Sequence, residues 1–179
     1  MKQKELEDYI LRVANTLRGM AESADVKQFI FPLLFYKRIS DVWDEEFEEA
    51  LELYGNDLEA AKMLENYRFQ IPDGSHWKDI RETSMDIGSK IQKSFREIEN
   101  ANFELLHGVF GNAQWTNKSL LSDAKLIDLI EQLSAVTLSK KNISDDRIGA
   151  GFEFLVKEFA KDTGHTAADF YTNRTVIDL

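Results

Sequence analysis

The sequence predicts an all-α fold, a bundle of several helices. Apolar residues recur at intervals of three and four along most of the chain, which is the spacing of one helix face. No stretch sustains the alternation of apolar and polar residues that is typical of a half-buried strand. A hydrophobic fraction of 43%, with 12 Phe among 179 residues, is enough for the core of one ordinary domain.

The first predicted helix covers about residues 4–18, with Gly19 as a natural stop. Its apolar face is formed by Leu6, Tyr9, Ile10, Val13, Ala14 and Leu17. A second helix follows, for which Asp25 is the candidate cap. Its apolar positions are Phe29, Ile30, Leu33, Leu34, Ile39, Trp43 and Phe47. They are too many for one narrow stripe, so we expect this helix at the centre of the bundle. Pro32 lacks an amide hydrogen, so it either kinks the helix or confines its first turn to the preceding residues.

The middle of the chain predicts two further helices with a turn between them. The first covers about residues 58–67. A turn is predicted at residues 71–75 by Pro72, Asp73 and Gly74 in succession. The next helix begins near Trp77 and ends near Asn100. Its apolar positions are Trp77, Ile80, Ile87, Ile91, Phe95 and Ile98.

The last part of the chain predicts a loop and two more helices. Residues 109–112, with Gly111, form the predicted loop. Ser122 or Asp123 can cap a helix that carries Leu126, Ile127, Ile130 and Leu133. The final helix begins near Ser144, and Gly164 ends that region. Its expected buried positions are Ile148, Phe152, Leu155, Val156 and Phe159.

Composition bears on several classes of protein. No apolar run approaches the roughly 20 residues that a membrane span needs, and the first residues lead into no signal-peptide core. We therefore expect a soluble cytoplasmic protein with no membrane partner. The absence of cysteine excludes disulfides and thiolate chemistry. His76, His107 and His165 lack partners at metal-ligand spacing, so we expect no metal site and interpret them as surface or packing residues.

The net charge of -10 is concentrated in one acidic stretch. Its members are Asp44, Glu45, Glu46, Glu48, Glu49, Glu52, Asp57, Glu59 and Glu65. Such a surface repels phosphate, so in a protein that serves DNA it faces away from the duplex or toward a basic partner. The simpler interpretation is a solvated helix face.

Two smaller patterns carry weaker predictions. The sequence Gly149-Ala150-Gly151 is half of a dinucleotide fingerprint, but no strand precedes it, so close helix packing is the expected role. The compact basic clusters are Lys37-Arg38, Lys140-Lys141 and Arg147. Each is a candidate for phosphate contact, with ordinary solvated charge as the favoured interpretation.

Near the end of the chain, Ala168-Asp169-Phe170-Tyr171-Thr172-Asn173-Arg174 places an aromatic pair and a hydroxyl where a new helix would begin. This segment resembles the aromatic-aromatic-Thr-Pro-Arg motif that opens the catalytic domain of the modification subunits of type I restriction-modification systems. These subunits are adenine-specific DNA methyltransferases. We expect the chain to be a fragment that stops where such an element leads into a catalytic sheet.

Three segments are similar to that family in the right order. The first is Leu17-Arg18-Gly19 followed by residues 31–41, FPLLFYKRISD. The second is Ile71-Pro72 with Trp77, then residues 98–102 and 106–110. The third is residues 146–155, DRIGAGFEFL, with Phe159-Ala160, and it leads to the aromatic tail. The order and spacing carry the resemblance, which covers nearly the whole chain.

The resemblance implies a helical N-terminal domain over residues 1–160. Residues 161–179 would then be a linker and the start of a Rossmann-like methyltransferase domain whose remainder this chain lacks. The full-length protein would transfer a methyl group from S-adenosylmethionine to adenine N6 in DNA. This fragment would help to assemble the complex and clamp DNA, and would be inactive alone. The implied partners are DNA, a specificity subunit, a second modification subunit and a restriction subunit.

The resemblance also implies where the cofactor lies. The candidate pocket wall is Asp169, Phe170, Tyr171, Thr172, Asn173 and Arg174. Thr172 would cap a helix whose amides point at an anionic group such as the methionine carboxylate. Asn173 stands where the family usually has Pro, so the fixed φ of that position is lost. With only one wall present, we expect weak or no cofactor binding by this chain.

No catalytic residue is expected in this chain. N6 methylation requires a flipped adenine whose amine is held by a polar side chain and a backbone carbonyl. In the family an Asn-Pro-Pro-Phe motif does this, whereas the two prolines here, Pro32 and Pro72, are not adjacent. Two alternatives stay open. One is a free-standing helical interaction module that binds protein through its acidic helix, and the other is a fused restriction-and-modification enzyme.

Overall fold

Every regular element in residues 1–18 and 23–163, the part of the chain that the computed structural model describes, is a helix. In chain order the helices are α1 (Gln3–Arg18), α2 (Ser23–Leu53), α3 (Leu58–Ala61), α4 (Trp77–Arg81), α5 (Ile87–Ala101), α6 (Phe103–Leu106), α7 (Asp123–Ser134) and α8 (Asp145–Thr163). A single 3-10 turn, Leu64–Asn66, lies between α3 and α4. The all-α prediction is confirmed. Within these residues no helix combines the length and the apolar character that crossing a membrane demands.

The long helix α2 is central, as predicted. Residues 29–42 are buried almost without interruption, and α1, α4 and α8 all pack against α2. The helix begins at Ser23, so the prediction of Asp25 as its cap is wrong and Asp25 lies inside the first turn. Pro32 lies well beyond that turn, and the helix continues through it. Packing on every side stabilises the helix around a position that donates no hydrogen bond.

Helix α8 rests closely on α1. A Cβ added at Gly151 would lie 2.9 Å from Ile10 Cδ1 and 3.2 Å from Leu6 Cδ2. The glycine therefore allows the two helices to approach, which is the packing role predicted for Gly149-Ala150-Gly151. On its other side α1 is joined to α7, because the Tyr9 hydroxyl donates to the Leu133 carbonyl at 2.8 Å.

The helix predicted over residues 77–100 is divided into α4 and α5. The break is at Asp86, which has a left-handed conformation with φ of 53°. The carboxylate of Asp123, the first residue of α7, accepts hydrogen bonds from the backbone N–H groups of Asp86 and Ile87, both at 3.1 Å. Asp123, which is distant in sequence, thus provides the hydrogen-bond acceptors for the first backbone N–H groups of α5. The apolar spacing continues across the break because α4 and α5 face the same core.

The helix predicted over residues 58–67 is also divided. Asp57 caps α3 by accepting from Glu59 N at 3.0 Å. The Asn66 amide then donates to the carbonyls of Ala60 and Ala61 at 2.9 and 3.0 Å, so the end of α3 is satisfied by a side chain rather than by further helix. The short helix α6 was not predicted. The predicted loop at residues 109–112 is confirmed and contains Gly111 at φ of 65°.

Both helix starts predicted for the last part of the chain are confirmed. Ser122 Oγ accepts from Lys125 N at 3.4 Å, which caps α7. Helix α8 begins at Asp145, directly after Ser144. The predicted end at Gly164 lies outside the described residues.

The aromatic centre of the core surrounds Trp115. Its ring makes edge contacts with Phe29 and Phe95, at centroid separations of 5.0 and 5.5 Å, and Phe95 stacks on Phe110 at 4.2 Å. Helix α5 lies directly on this loop, because a Cβ at Gly88 would be only 1.9 Å from the Trp115 carbonyl oxygen. The core therefore joins α2, α5 and the loop before α7.

Candidate functional site

The predicted cofactor wall is not part of the region that the structure describes. Its residues, Asp169, Phe170, Tyr171, Thr172, Asn173 and Arg174, all fall beyond Thr163, as does His165. What the structure does describe is how α8, the helix that precedes this tail in the sequence, is held. The candidate site is therefore the junction of α2 with the segment that enters α8.

Four charged side chains of α2 form this junction. Lys37, Arg38, Asp41 and Glu45 are exposed to only 3%, 5%, 8% and 6%. Arg38, Asp41 and Glu45 hydrogen-bond to residues 138–145, while Lys37 pairs with Asp41, and we call this arrangement the α2–α8 clasp. The favoured prediction of solvated charge at Lys37-Arg38 is wrong, because α2 is buried on all sides at this level.

Arg38 binds the loop and the first residue of α8 together. Its Nη1 donates to the carbonyls of Leu138 and Ile143, the latter at 3.0 Å, and its Nη2 donates to Asp145 Oδ1 at 2.7 Å. A planar guanidinium with several donors is suited to such a multiple contact. Because Asp145 lies in the first turn of α8, its carboxylate also interacts favourably with the helix dipole. Arg38 thus specifies where α8 begins.

Two carboxylates of α2 bind the same loop through its backbone. Asp41 Oδ2 accepts from Leu138 N at 2.6 Å and from the ammonium of Lys37. One helical turn further on, Glu45 accepts from Lys140 N at 2.6 Å and from Lys141 N at 3.0 Å. Burial raises the pKa of Asp41, and the neighbouring Lys37 ammonium and Leu138 N–H oppose that rise. The buried carboxylates are therefore matched by donors, as buried charges must be.

The other basic clusters are also engaged within the chain. Lys140 Nζ lies 2.8 Å from Glu46 Oε1, and Lys141 Nζ lies 3.1 Å from Glu49 Oε1. Arg147 donates to the Met1 carbonyl at 2.8 Å. Each of these cations has an intramolecular acceptor, which does not favour them as phosphate contacts.

The histidines of the described residues have packing or surface positions. Within residues 1–18 and 23–163, no three His, Asp or Glu side chains are grouped as metal ligands. His76 packs its ring edge-on against Trp43 at 4.4 Å, and burial lowers its pKa. His107 is exposed beside Phe103, so the packing and surface roles predicted for these two histidines are confirmed. A cavity next to Arg38 has a volume of about 20 Å³, which is room for one water molecule.

Sequence reasoning missed the clasp, although a signal for it exists. Lys37, Asp41 and Glu45 follow one another at four-residue intervals within a helix whose apolar residues occupy every face. Charges in such a helix must be paired or hydrogen-bonded internally, because an unpaired buried charge is too costly. The pattern therefore predicts buried partners, but it does not identify the loop that supplies them.

Comparisons with known proteins show similarity to methylase and methyltransferase subunits of type I restriction-modification systems. Residues 6–133 match the family described as the HsdM N-terminal domain. Over 97% of its length the chain is 23% identical to the type I restriction enzyme MpnII methylase subunit of Mycoplasma pneumoniae, and it covers 38% of that protein. A crystal structure of the type I restriction-modification system methyltransferase subunit from Streptococcus thermophilus matches with a TM-score of 0.68 at 18% identity. That match covers 90% of this chain and 40% of the other, so the chain spans about two fifths of the length of these relatives.

Proposed function

The chain belongs to the HsdM N-terminal domain family, and from this premise we propose that it is the helical N-terminal region of a type I restriction-modification DNA methyltransferase subunit. The observation that carries the proposal is the family match over residues 6–133. The helical fold shared with a solved methyltransferase subunit supports it over 90% of the chain. A free-standing interaction module has no comparable support, because both similar proteins are methylase or methyltransferase subunits.

The proposed reaction is transfer of a methyl group from S-adenosylmethionine to adenine N6 in DNA. The amine-binding Asn-Pro-Pro-Phe motif and the glycine-rich cofactor turn are assigned to a part of the protein beyond these 179 residues. Residues 1–160 then form the helical domain, and residues 161–179 form the entrance to the methyltransferase domain. The pocket wall consists of Asp169, Phe170, Tyr171, Thr172, Asn173 and Arg174.

The clasp has a role in this arrangement. Arg38 fixes the first turn of α8, and the close contact at Gly151 seats the same helix on α1. The tail that follows α8 therefore starts from a helix held at both its beginning and its middle. A cofactor wall works only if it is positioned within a fraction of an ångström, so a rigid preceding helix serves the proposed chemistry.

The proposed partners are DNA, a specificity subunit that reads the sequence, a second modification subunit and a restriction subunit. The chain carries a net charge of -10, so this region contributes few phosphate contacts and its acidic stretch faces away from the duplex. A protein that modifies genomic DNA works in the compartment that holds it, which we take to be the cytoplasm.

The test is methyl transfer by the complete subunit. The full reading frame is co-expressed with a candidate specificity subunit, and the complex is incubated with unmethylated DNA and tritiated S-adenosylmethionine. We expect label in DNA, N6-methyladenine by mass spectrometry, and no transfer by the 179-residue chain alone. A reading frame without the Asn-Pro-Pro-Phe motif would contradict the proposal, and so would methyl transfer by the isolated chain.

A variant of the complete subunit tests the pocket wall. Tyr171→Ala removes an aromatic face from the proposed cofactor pocket, so we expect the KM for S-adenosylmethionine to rise about tenfold with a smaller change in kcat. Met85→Ala, at an exposed position between α4 and α5, is the matched control. An unchanged KM in Tyr171→Ala would remove this residue from the wall.

A further inference from the structure

An exposed apolar surface lies where α2 ends. Its side chains are Leu53, Tyr54, Leu58, Met63 and Leu64, each between 38% and 75% exposed. They fall within residues 53–66, which cover the end of α2, α3 and the following 3-10 turn, and we call this segment the tip. Scattered single apolar residues on a surface need no explanation, whereas five large exposed ones within residues 53–64 make this segment a candidate interaction site.

Hydrogen bonds from side chains to backbone groups stabilise the backbone conformation of the tip. Asp57 caps α3, and Asn66 donates to the carbonyls of Ala60 and Ala61. Tyr67 donates its hydroxyl to the same Ala61 carbonyl at 2.6 Å. The exposed leucines and methionine are therefore not required for the local fold. Their presence on this surface calls for another cause.

Hydrogen bonds tie the tip to the start of α6, which also carries exposed apolar side chains. The Gln70 side chain donates to the Leu64 carbonyl at 2.9 Å, and the backbone of Gln70 exchanges two hydrogen bonds with the Asn102 side chain, at 2.8 and 2.7 Å. The residues after Asn102 include Phe103 and Leu105, which are 60% and 56% exposed. Seven large apolar side chains are thus carried by two segments joined through Gln70.

The rim of this surface is acidic. Residues 48–66 hold one basic residue, Lys62, and six acidic ones, of which Glu49 is already paired with Lys141 and the others are Glu48, Glu52, Asp57, Glu59 and Glu65. Glu104 adds a further carboxylate on α6. Duplex DNA and anionic membranes are repelled by such a rim. A second copy of the chain would bring the same carboxylates face to face, which is unfavourable for a symmetric contact.

We propose that the tip and α6 form a docking surface for a basic amphipathic segment of a partner protein. The apolar side chains of the segment cover Leu58, Leu64 and Phe103, and its flanking Lys and Arg residues face the acidic rim. Charge complementarity selects this occupant over nucleic acid, lipid and a second copy. The surface is separate from the α2–α8 clasp and does not depend on methyl transfer.

A synthetic helix is the probe. A fluorescein-labelled peptide of about 20 residues, with Leu along one face and Lys on both flanks, is titrated with the 179-residue chain and followed by fluorescence anisotropy. We expect saturable binding that weakens as the salt concentration rises. The double variant Leu58→Ser/Leu64→Ser should weaken it about tenfold or more, because it removes central apolar contacts.

The matched control is Met85→Ser, which replaces an apolar side chain that is 75% exposed outside the surface. We expect it to bind the peptide within about twofold of the parent chain. A peptide with Glu in place of every Lys should not bind. Circular dichroism checks that each variant keeps its helix content, which exposed substitutions should preserve.

Several results would overturn the proposal. They are absence of saturable binding, equal affinity of the double variant and the parent chain, equal weakening by Met85→Ser, and equal binding of the acidic peptide. A dimer seen by light scattering that the double variant abolishes would show that a second copy occupies the surface instead. Competition by duplex DNA that requires Leu58 and Leu64 would identify nucleic acid as the occupant. None of these readouts involves methylation, so failure here is distinguishable from failure of the proposed function.

Discussion

Replacing Arg38 by Met tests whether the clasp holds the start of α8. Met keeps an unbranched side chain of similar reach in the buried position but removes every donor. The carbonyls of Leu138 and Ile143 then lose their hydrogen bonds from Nη1, and Asp145 loses its contact with Nη2. Leu138 and Ile143 are only 0% and 1% exposed, so little solvent is available to replace the lost donor.

The size of the effect follows from these losses. A buried carbonyl left without a donor costs about 1–3 kcal/mol, and two are affected. The Asp145 side chain is 47% exposed, so its contact adds no more than about 1 kcal/mol. Burial of the Met side chain offsets roughly 1 kcal/mol. We therefore expect the free energy of unfolding to fall by about 3 kcal/mol, which lowers Tm by roughly 6–12 °C in a chain of this size.

The assay is urea unfolding followed by circular dichroism at 222 nm, with hydrogen exchange read by mass spectrometry on peptides of α8 and α5. Arg68→Met is the matched control. Arg68 Nη1 lies 4.0 Å from the same Asp145 carboxylate, but its side chain is 41% exposed, so its loss should cost no more than about 1 kcal/mol. In Arg38→Met, exchange should increase more at the start of α8 than in α5.

Two results would refute this reasoning. The first is an Arg38→Met chain whose free energy of unfolding lies within about 1 kcal/mol of the parent value. The second is an equal loss in Arg68→Met. The first would mean that water or backbone movement satisfies the two carbonyls, and the second that the loss comes from the shared Asp145 contact rather than from those carbonyls.

Two further predictions concern the core and the pH dependence. Gly88→Ala should lower the free energy of unfolding by about 2 kcal/mol, because the clash with the Trp115 carbonyl, 1.9 Å from the new Cβ, outweighs a helix-propensity gain of about 1 kcal/mol. The exposed neighbour Ser89→Ala should be neutral or slightly stabilising in the same urea unfolding, and a Gly88→Ala chain as stable as the parent would contradict the close approach. Burial lowers the pKa of His76 below its ordinary 6.5, so the unfolded chain takes up this proton first and the contribution of His76 to stability decreases as the pH falls below about 6.5. His76→Asn should remove this part of the slope in urea unfolding between roughly pH 6.5 and 5, and a slope equal to that of the parent chain would exclude His76 as its source.

The sequence was sufficient to predict the helices that bury one continuous apolar face. The apolar spacing predicted α1 and the central position of α2, because both patterns are local. It did not predict the break between α4 and α5, since that break depends on Asp123, 36 residues beyond Ile87. Apolar periodicity records which residues face the core and is insensitive to an interruption when both pieces face the same side.

The candidate site was less predictable for a related reason. Lys37 and Arg38 are adjacent basic residues, and on most helices such a pair is solvated. Their burial follows from the position of α2 among its neighbours, and the Arg38 contact with Leu138 spans 100 residues of sequence. The ordered motifs did predict the family that the comparisons support. The predicted cofactor wall remains a prediction, because it lies outside the described residues.

The acidic stretch, taken together with Asp41 just before it, is better understood as two features than as one. Asp41, Glu45 and Glu49 follow at four-residue intervals along one face of α2, and they contact residues 138–141 in turn. At the inner end Asp41 and Glu45 bind backbone N–H groups and belong to the fold. Beyond Glu49, which pairs with Lys141, the carboxylates of Glu52, Asp57, Glu59 and Glu65 are exposed. A count of charge alone assigns the whole stretch to the surface, whereas burial divides it into a part that positions α8 and a part that is free to meet a basic partner.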